Sequence, residues 1–317
     1  MMRWGFLGAS RIARRSLAPA VLECGHLIEA IGARALQRAR DFGDAVGARR
    51  AYGDYAALVD DPGIDAVYIS LTNEAHVPWA IRALAAGKHV LCEKPLGLDA
   101  GEVAALLEAE ARSGRRVMEA FCHVHHPQIA QVRALLEAGA LGEVVAAQAV
   151  FGIPLRDDGD FRWQAAMGGG VLLDLGTYCV SLMRALLGEP RAVSGIRVMR
   201  GEVDASFSGQ MDFGGVAGQF TCSFVSAFTQ HLEILGSAGT LLLDWPISTK
   251  GRETGMFLGD RAERFPALDP YVRMVRAFEQ MAAGEPGGAF GLEWSLANAR
   301  VLDGLRVAAG DGRVVSI

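Results

Sequence analysis

The chain of 317 residues has no run of about 18 apolar residues, no block of like charges, and no basic leader followed by an apolar stretch. These absences predict a soluble, cytoplasmic protein that is neither exported nor held in a membrane. The 31 Lys and Arg residues are scattered among 36 Asp and Glu for a net charge of -5, so no nucleic-acid footprint is present. Partners are expected to be small molecules and further copies of the chain. Cysteine is scarce: Cys24, Cys92, Cys122, Cys179 and Cys222 are odd in number, widely spaced and set in apolar surroundings, which points to reduced thiols. None has the spacing of a metal ligand. His123, His125 and His126 are close in sequence, but an extended segment alternates the first two and Pro127 follows the third, so a shared metal focus is awkward and no metal is expected.

What the chain does have is alternation. Its length suits two domains. In the first, strand-like runs at Trp4–Leu7, Leu27–Gly32, Ala66–Leu71, Lys88–Cys92 and Arg116–Phe121 alternate with helical patterns at 10–23, 36–46, 76–86 and 99–113. That order predicts a doubly wound α/β Rossmann domain over residues 1–122, its parallel sheet covered on both faces. From Glu143 onward strands dominate. They predict an α+β domain over residues 123–317 with a mainly antiparallel open sheet, helices on one face, and an exposed opposite face suited to a homodimer or a dimer of dimers.

The first turn reads Gly8-Ala9-Ser10-Arg11-Ile12-Ala13, placed after a strand and opening a helix. Glycine permits the tight turn, and the helix N-terminus, with Ser10, Arg11 and Ile12, offers unpaired N–H groups to a pyrophosphate. About 20 residues on, an NAD site usually carries an acidic residue for the ribose. Here Gly32-Ala33-Arg34 stands in that place, and a guanidinium welcomes a 2'-phosphate, so NADP is favoured over NAD. Glu29 lies too early in the strand to serve. Lys94, in Glu93-Lys94-Pro95 at the end of an apolar strand, is either an ammonium poised for proton transfer or a surface lysine closing that strand. Asp174 and Tyr178 stand four apart on a helical pattern and share one face.

With these motifs the chain resembles the glucose-fructose oxidoreductase, inositol dehydrogenase and MocA family over nearly its whole length. The resemblance rests on the Gly8–Ala13 turn and on Tyr68-Ile69-Ser70-Leu71-Thr72-Asn73-Glu74-Ala75-His76. It rests equally on the segments from Ala86 to Pro95 and from Gly168 to Tyr178. Met118-Glu119-Ala120-Phe121, His126-Pro127-Gln128 and Phe161-Arg162-Trp163 are most similar to the branch of NADP-dependent xylose and dihydrodiol dehydrogenases and certain sugar-nucleotide ketoreductases. The resemblance implies Tyr178 as the proton donor or acceptor, and an ammonium near a phenol stabilises phenolate below its usual value of about 10. It also implies Glu93 near the nicotinamide ribose, Leu71, Asn73 and His76 along the cofactor, and Arg162 and Trp163 at cofactor or substrate. Asp174 is expected to orient substrate or Lys94, or else to favour the helix N-terminus. The implied reaction is oxidation of a sugar or cyclic diol, an aldose first. Reduction of a keto-sugar or sugar nucleotide, and dinucleotide sensing without turnover, are the alternatives.

Overall fold

In the computed structural model, which describes residues 1–285 and 290–317, the chain divides into two compact units. The first holds Met1–Phe121 and Tyr271–Leu296, the second Cys122–Pro270 and Ala297–Ile317. The sequence suggests one crossing at 122/123, whereas the first unit takes back a C-terminal segment. The reason is apolar: Phe278 packs 5.1 Å from the fully buried Trp4 ring, and Trp294 lies 5.7 Å from Phe121.

The first unit is built on β1 (Arg3–Leu7), β2 (Leu27–Gly32), β3 (Arg50–Tyr52), β4 (Ala66–Ile69), β5 (His89–Cys92) and β6 (Val117–Glu119). They form one parallel sheet in the order β3-β2-β1-β4-β5-β6. The order in which strands are added reverses between β1 and β4, and in such sheets the crevice beyond those two strand ends is where ligands bind. The helices are α1 (Ala18–Glu23), α2 (Leu36–Val46), α3 (Tyr55–Val59), α4 (His76–Ala85) and α5 (Ala100–Ser113). Asp54 and Asp99 cap α3 and α5 with their carboxylates, as the sequence leads one to expect for Asp99. The short edge strand β3 escapes the sequence because its three residues are only partly covered and carry no apolar run.

The second unit contains α6 (Pro127–Glu137) and α7 (Thr177–Leu187), with α8 (Pro270–Ala282) belonging mainly to the first unit and α9 (Leu292–Asp311) shared by both. Its sheet holds β7 (Val144–Pro154), β8 (Ala192–Arg200), β9 (Val203–Asp212), β10 (Ala217–Ser223), β11 (Val225–Gly236) and β12 (Gly239–Leu243). β13 (Arg252–Leu258), β14 (Arg261–Leu268) and β15 (Val315–Ser316) complete it. The order is β14-β13-β12-β11-β7-β10-β9-β8-β15, antiparallel except for the parallel pair β7 and β10. β13 and β14 are unforeseen from sequence because charged residues interrupt the alternation on an edge hairpin. The inner face stacks Phe207 on Phe220, their ring centroids 5.9 Å apart and their planes 7° from parallel, and α7 and the end of α9 lie over it.

The segment Ala165–Leu187 is long and apolar enough on average to cross a membrane, although Asp174, Thr177, Tyr178, Ser181 and Arg184 interrupt it. Burial of 78% of that window inside the fold identifies it as a core helix. Its entry needs Gly170: φ is +114°, and a Cβ there would collide with Asp204 Oδ1. Gly188, at the far end, has φ +87° and open space around it. Gly188→Ala therefore carries only the strain of a backbone conformation, φ +87° and ψ −154°, that is essentially glycine's own, about 1–2 kcal/mol, while Gly170→Ala adds a collision and costs about 2–4 kcal/mol. Thermal melts should show the Gly170 variant falling furthest, by roughly 2–4 °C per kcal/mol.

Candidate functional site

In the first unit the turn after β1 is fixed by backbone crowding. Gly8 has φ +102°, and a Cβ there would sit 2.7 Å from the Ser70 carbonyl oxygen at the end of β4. No other residue type fits without moving a strand. Ser10 Oγ accepts from Ala13 N–H (3.1 Å) and donates to Ser70 Oγ (2.9 Å), so its hydroxyl caps the helix and ties it to β4. Arg11 is exposed and Ile12 half-buried in the first turn, and the helix continues through a π-helical turn at Ala13–Leu17. A bare glycine cradle below a helix N-terminus fits the pyrophosphate of a dinucleotide.

The end of β2 is cationic. Ala33 is buried and Arg34 exposed; Arg38, in the first turn of α2, donates to the Ala9 carbonyl oxygen at 3.1 Å. Both guanidinium groups act on the Tyr55 phenol, whose pKa burial nevertheless raises. Glu29 is buried and paired with Arg50 at 2.7 Å, so its carboxylate is already committed. This corner fits a 2'-phosphate and has no acidic group for a ribose at the end of β2. Arg38 was missed in the sequence, although a cation in the first turn of a helix opposes the helix dipole and is a signal for a bound anion.

The loops after β4, β5 and β6 are laced together. His76, 1% exposed, places Nδ1 2.8 Å from the Pro95 carbonyl oxygen and Nε2 3.2 Å from that of Leu71. Burial lowers its pKa. Glu93 Oε1 accepts from the Tyr68 hydroxyl at 2.5 Å, and Glu119 Oε1 accepts from Leu96 N–H at 2.9 Å. Lys94, half-buried, thus lies on a segment held on both sides, and its bond to Pro95 is cis. The structure brings Leu71, His76, Glu93 and Lys94 together on this rim, and Asn73 is buried in the short turn before α4. Tyr68 and Glu119, which do much of the holding, lie in segments that carry the resemblance but take no role of their own from it, because they sit inside ordinary strand patterns.

In the second unit, Asp174 lies in a π-helical turn, Leu172–Gly176, just before α7. Asp204 Oδ2 accepts from Leu172 N–H at 2.9 Å and secures the start of that turn. Arg162 Nε donates to Asp174 Oδ2 at 2.8 Å and its Nη1 reaches Asp160, so two residues singled out in the sequence form an ion pair in which the carboxylate is buried and the guanidinium partly exposed. Trp163 packs 5.3 Å from Phe224, with the Arg200 guanidinium 4.4 Å from its ring. Tyr178 is the one side chain from Val171 to Arg184 that is not buried. His126 caps α6, and among the described residues no three His, Cys, Asp or Glu side chains converge as a metal site.

His123 and His125 are forced neutral. Burial, with a smaller contribution from His125, drops the His123 pKa to about 3, and burial drops that of His125 to about 4. In the unfolded chain both titrate near 6.5. Their neutral forms therefore stabilise the fold fully above about pH 6.5, and this contribution is lost as pH falls from there toward 4. Urea midpoints should drop across that window, with up to about 1.4 kcal/mol per pH unit from each imidazole. Replacing His125 by Phe should flatten the fall, and a variant with an unchanged slope would refute the assignment.

Comparison with known proteins agrees with this geometry. Residues 2–121 match the oxidoreductase family with an NAD-binding Rossmann fold, and residues 129–242 match the GFO/IDH/MocA C-terminal domain. A dTDP-3,4-didehydro-2,6-dideoxy-alpha-D-glucose 3-reductase of Actinomadura kijaniata is 36% identical, covering 98% of this chain and 96% of its own. An NADP(+)-dependent D-xylose 1-dehydrogenase of Haloferax volcanii is 33% identical over the full length of both chains. The crystal structure of the 3-ketoreductase KijD10 from Actinomadura kijaniata, with NADP and TDP-benzene, superposes with a TM-score of 0.91 at 33% identity, covering 97% of each chain. With both domains matched, in order and over most of its length, the chain belongs to the GFO/IDH/MocA oxidoreductase family.

Proposed function

We propose that the chain moves a hydride between the nicotinamide of NADP and a carbinol or carbonyl carbon of a sugar or cyclic diol, with aldose oxidation as the favoured reaction. The observation that carries this reading is Tyr178, a phenol left half-exposed on a helix turn whose other side chains are buried. When bound, NADP supplies the hydride chemistry. Arg34 and Arg38 hold its 2'-phosphate, and the turn at Gly8 and Ser10 holds its pyrophosphate. Tyr178 exchanges the hydroxyl proton, and the Lys94 ammonium stabilises the oxygen that carries developing charge. Arg162 holds the Asp174 carboxylate in place within the turn that leads into the tyrosine-bearing helix.

A second reading is reduction of a keto group on a sugar nucleotide. It uses the same residues in reverse, and the reductase among the relatives favours it. A pure sensor has no use for an acid–base couple and is the weakest alternative. We place the enzyme in the cytoplasm, in keeping with the absence of any disulfide among the described cysteines. Its working form is read as a homodimer or a dimer of dimers built on the outer sheet face. There Gln148, Gln219, Gln210 and Ser194 make one uncharged row across four strands, and Ile196 and Val198 are 74% and 61% exposed.

Three measurements test these assignments. Absorbance at the NADPH band with xylose, glucose, a cyclic diol and a keto-sugar nucleotide should show turnover that Lys94→Ala and Tyr178→Phe each reduce by about 100-fold or more, while NADPH binding persists. Full turnover in either variant would remove that residue from the chemistry. Arg34→Glu with Arg38→Glu should weaken NADP at least tenfold more than NAD, since each lost charged contact is worth about 1.5–3 kcal/mol. Light scattering should find wild type larger than a monomer and Ile196→Asp/Val198→Asp reduced toward one.

A further inference from the structure

The Tyr178 phenol is packed from two sides within the second unit, and the residue on one side is unusual. Phe151, on β7, sets its ring 5.7 Å from that of Tyr178 at 82°, and His123 sets its own 5.1 Å away at 67°. Both are edge-to-face arrangements, in which positive ring edges meet a negative face and the ring plane is fixed. His123 is 0% exposed. It is also bonded to the same helix, since its Nε2 lies 3.2 Å from Ser181 Oγ, and Ser181 Oγ donates to the Tyr178 carbonyl oxygen at 3.1 Å. A hydroxyl has a single proton, so with Ser181 donating to Tyr178 its oxygen accepts from His123 Nε2–H. The imidazole is thereby held in one tautomer and one plane.

We propose that His123 is the positioning residue for Tyr178: its ring edge orients the phenol, and its hydrogen bond to Ser181 locks that edge to the turn of α7 that carries the tyrosine. This rests on the reading of Tyr178 as the proton-transfer group. A metal or substrate role for His123 is disfavoured by its complete burial. A hydrocarbon ring alone would pack, but it would lack the bond to Ser181 and could slide along the helix. An imidazole supplies both ring edge and anchor while remaining uncharged, so it places no competing cation beside the phenol. Orientation matters at this level because displacement of a reacting group by an ångström is enough to cost about 100-fold in rate.

The test combines kinetics with a probe of the tyrosine itself. Protein labelled with 3-fluorotyrosine carries five 19F signals, one per tyrosine, and Tyr178→Phe identifies the relevant one by its loss. With His123→Ala, kcat should fall about 10–100-fold while the KM for NADPH stays within threefold, and the Tyr178 signal should shift or broaden while the other four hold. Ser181→Ala should give a smaller change of the same kind, and His123→Phe, which restores a ring but not the bond to Ser181, should recover kcat in part, to about the level of Ser181→Ala. An unmoved Tyr178 signal in His123→Ala, unchanged kcat there, or a His123→Phe variant as poor as His123→Ala would overturn the proposal. Failure of the underlying reading looks different: Tyr178→Phe would then keep wild-type kcat, whatever the fluorine signals do.

Discussion

The rim of the first unit depends on one close approach of backbone to backbone. β1 and β4 are neighbours because chain order reverses between them, and their ends are brought so near that the Gly8 α-carbon leaves no room for a methyl group against the Ser70 carbonyl. From that contact the rest of the rim follows in sequence. Ser70 receives the hydroxyl of Ser10, and the next residue, Leu71, offers its carbonyl to His76. The other nitrogen of His76 faces the Pro95 carbonyl after β5, and Leu96 donates to Glu119 at the end of β6. Four parallel strands are thus tied at their carboxyl ends by short polar bonds, and Lys94 sits among them.

The second unit solves a different problem, which is to keep charge and polarity inside a covered sheet. It does so by pairing and by neutralising. Arg162 is shared by Asp160 and Asp174, and the buried Arg184 donates to Glu189 and to Asn298. Removing Arg162 would strand the buried Asp174 carboxylate without its cation. His123 and His125 are instead held uncharged by burial. Against this background a half-exposed phenol on α7 is chemically conspicuous.

Much of the fold was legible because its signals are local. The buried run Ala66–Ile69 reads as a central strand, Asp99 reads as a cap, and Gly8-Ala9-Ser10 reads as a phosphate turn, each through a few neighbouring residues. What escaped lacked such a signal. β3, β13 and β14 are edge strands with mixed polarity, and the return of Tyr271–Leu296 to the first unit depends on Phe278 meeting Trp4 across more than 270 residues of chain. At the site, Arg38 left a faint trace through its place in a helix turn, Tyr68 and Glu119 showed only as members of longer motifs, and Asp204 left none.

The sequence by itself determined the alternation that makes a doubly wound sheet, the glycine turn, the missing carboxylate after β2, and the identities of Lys94, Asp174 and Tyr178. These follow from backbone freedom, periodicity and charge, which act over a few residues. Only the tertiary structure decided that Asp174 is held by Arg162, that His76 bridges two loops, and that His123 lies edge-on to Tyr178. Those pairings join residues 12, 19 and 55 positions apart or more. They exist because burial leaves polar groups no water to bond, and each must find its partner in whatever the fold brings near.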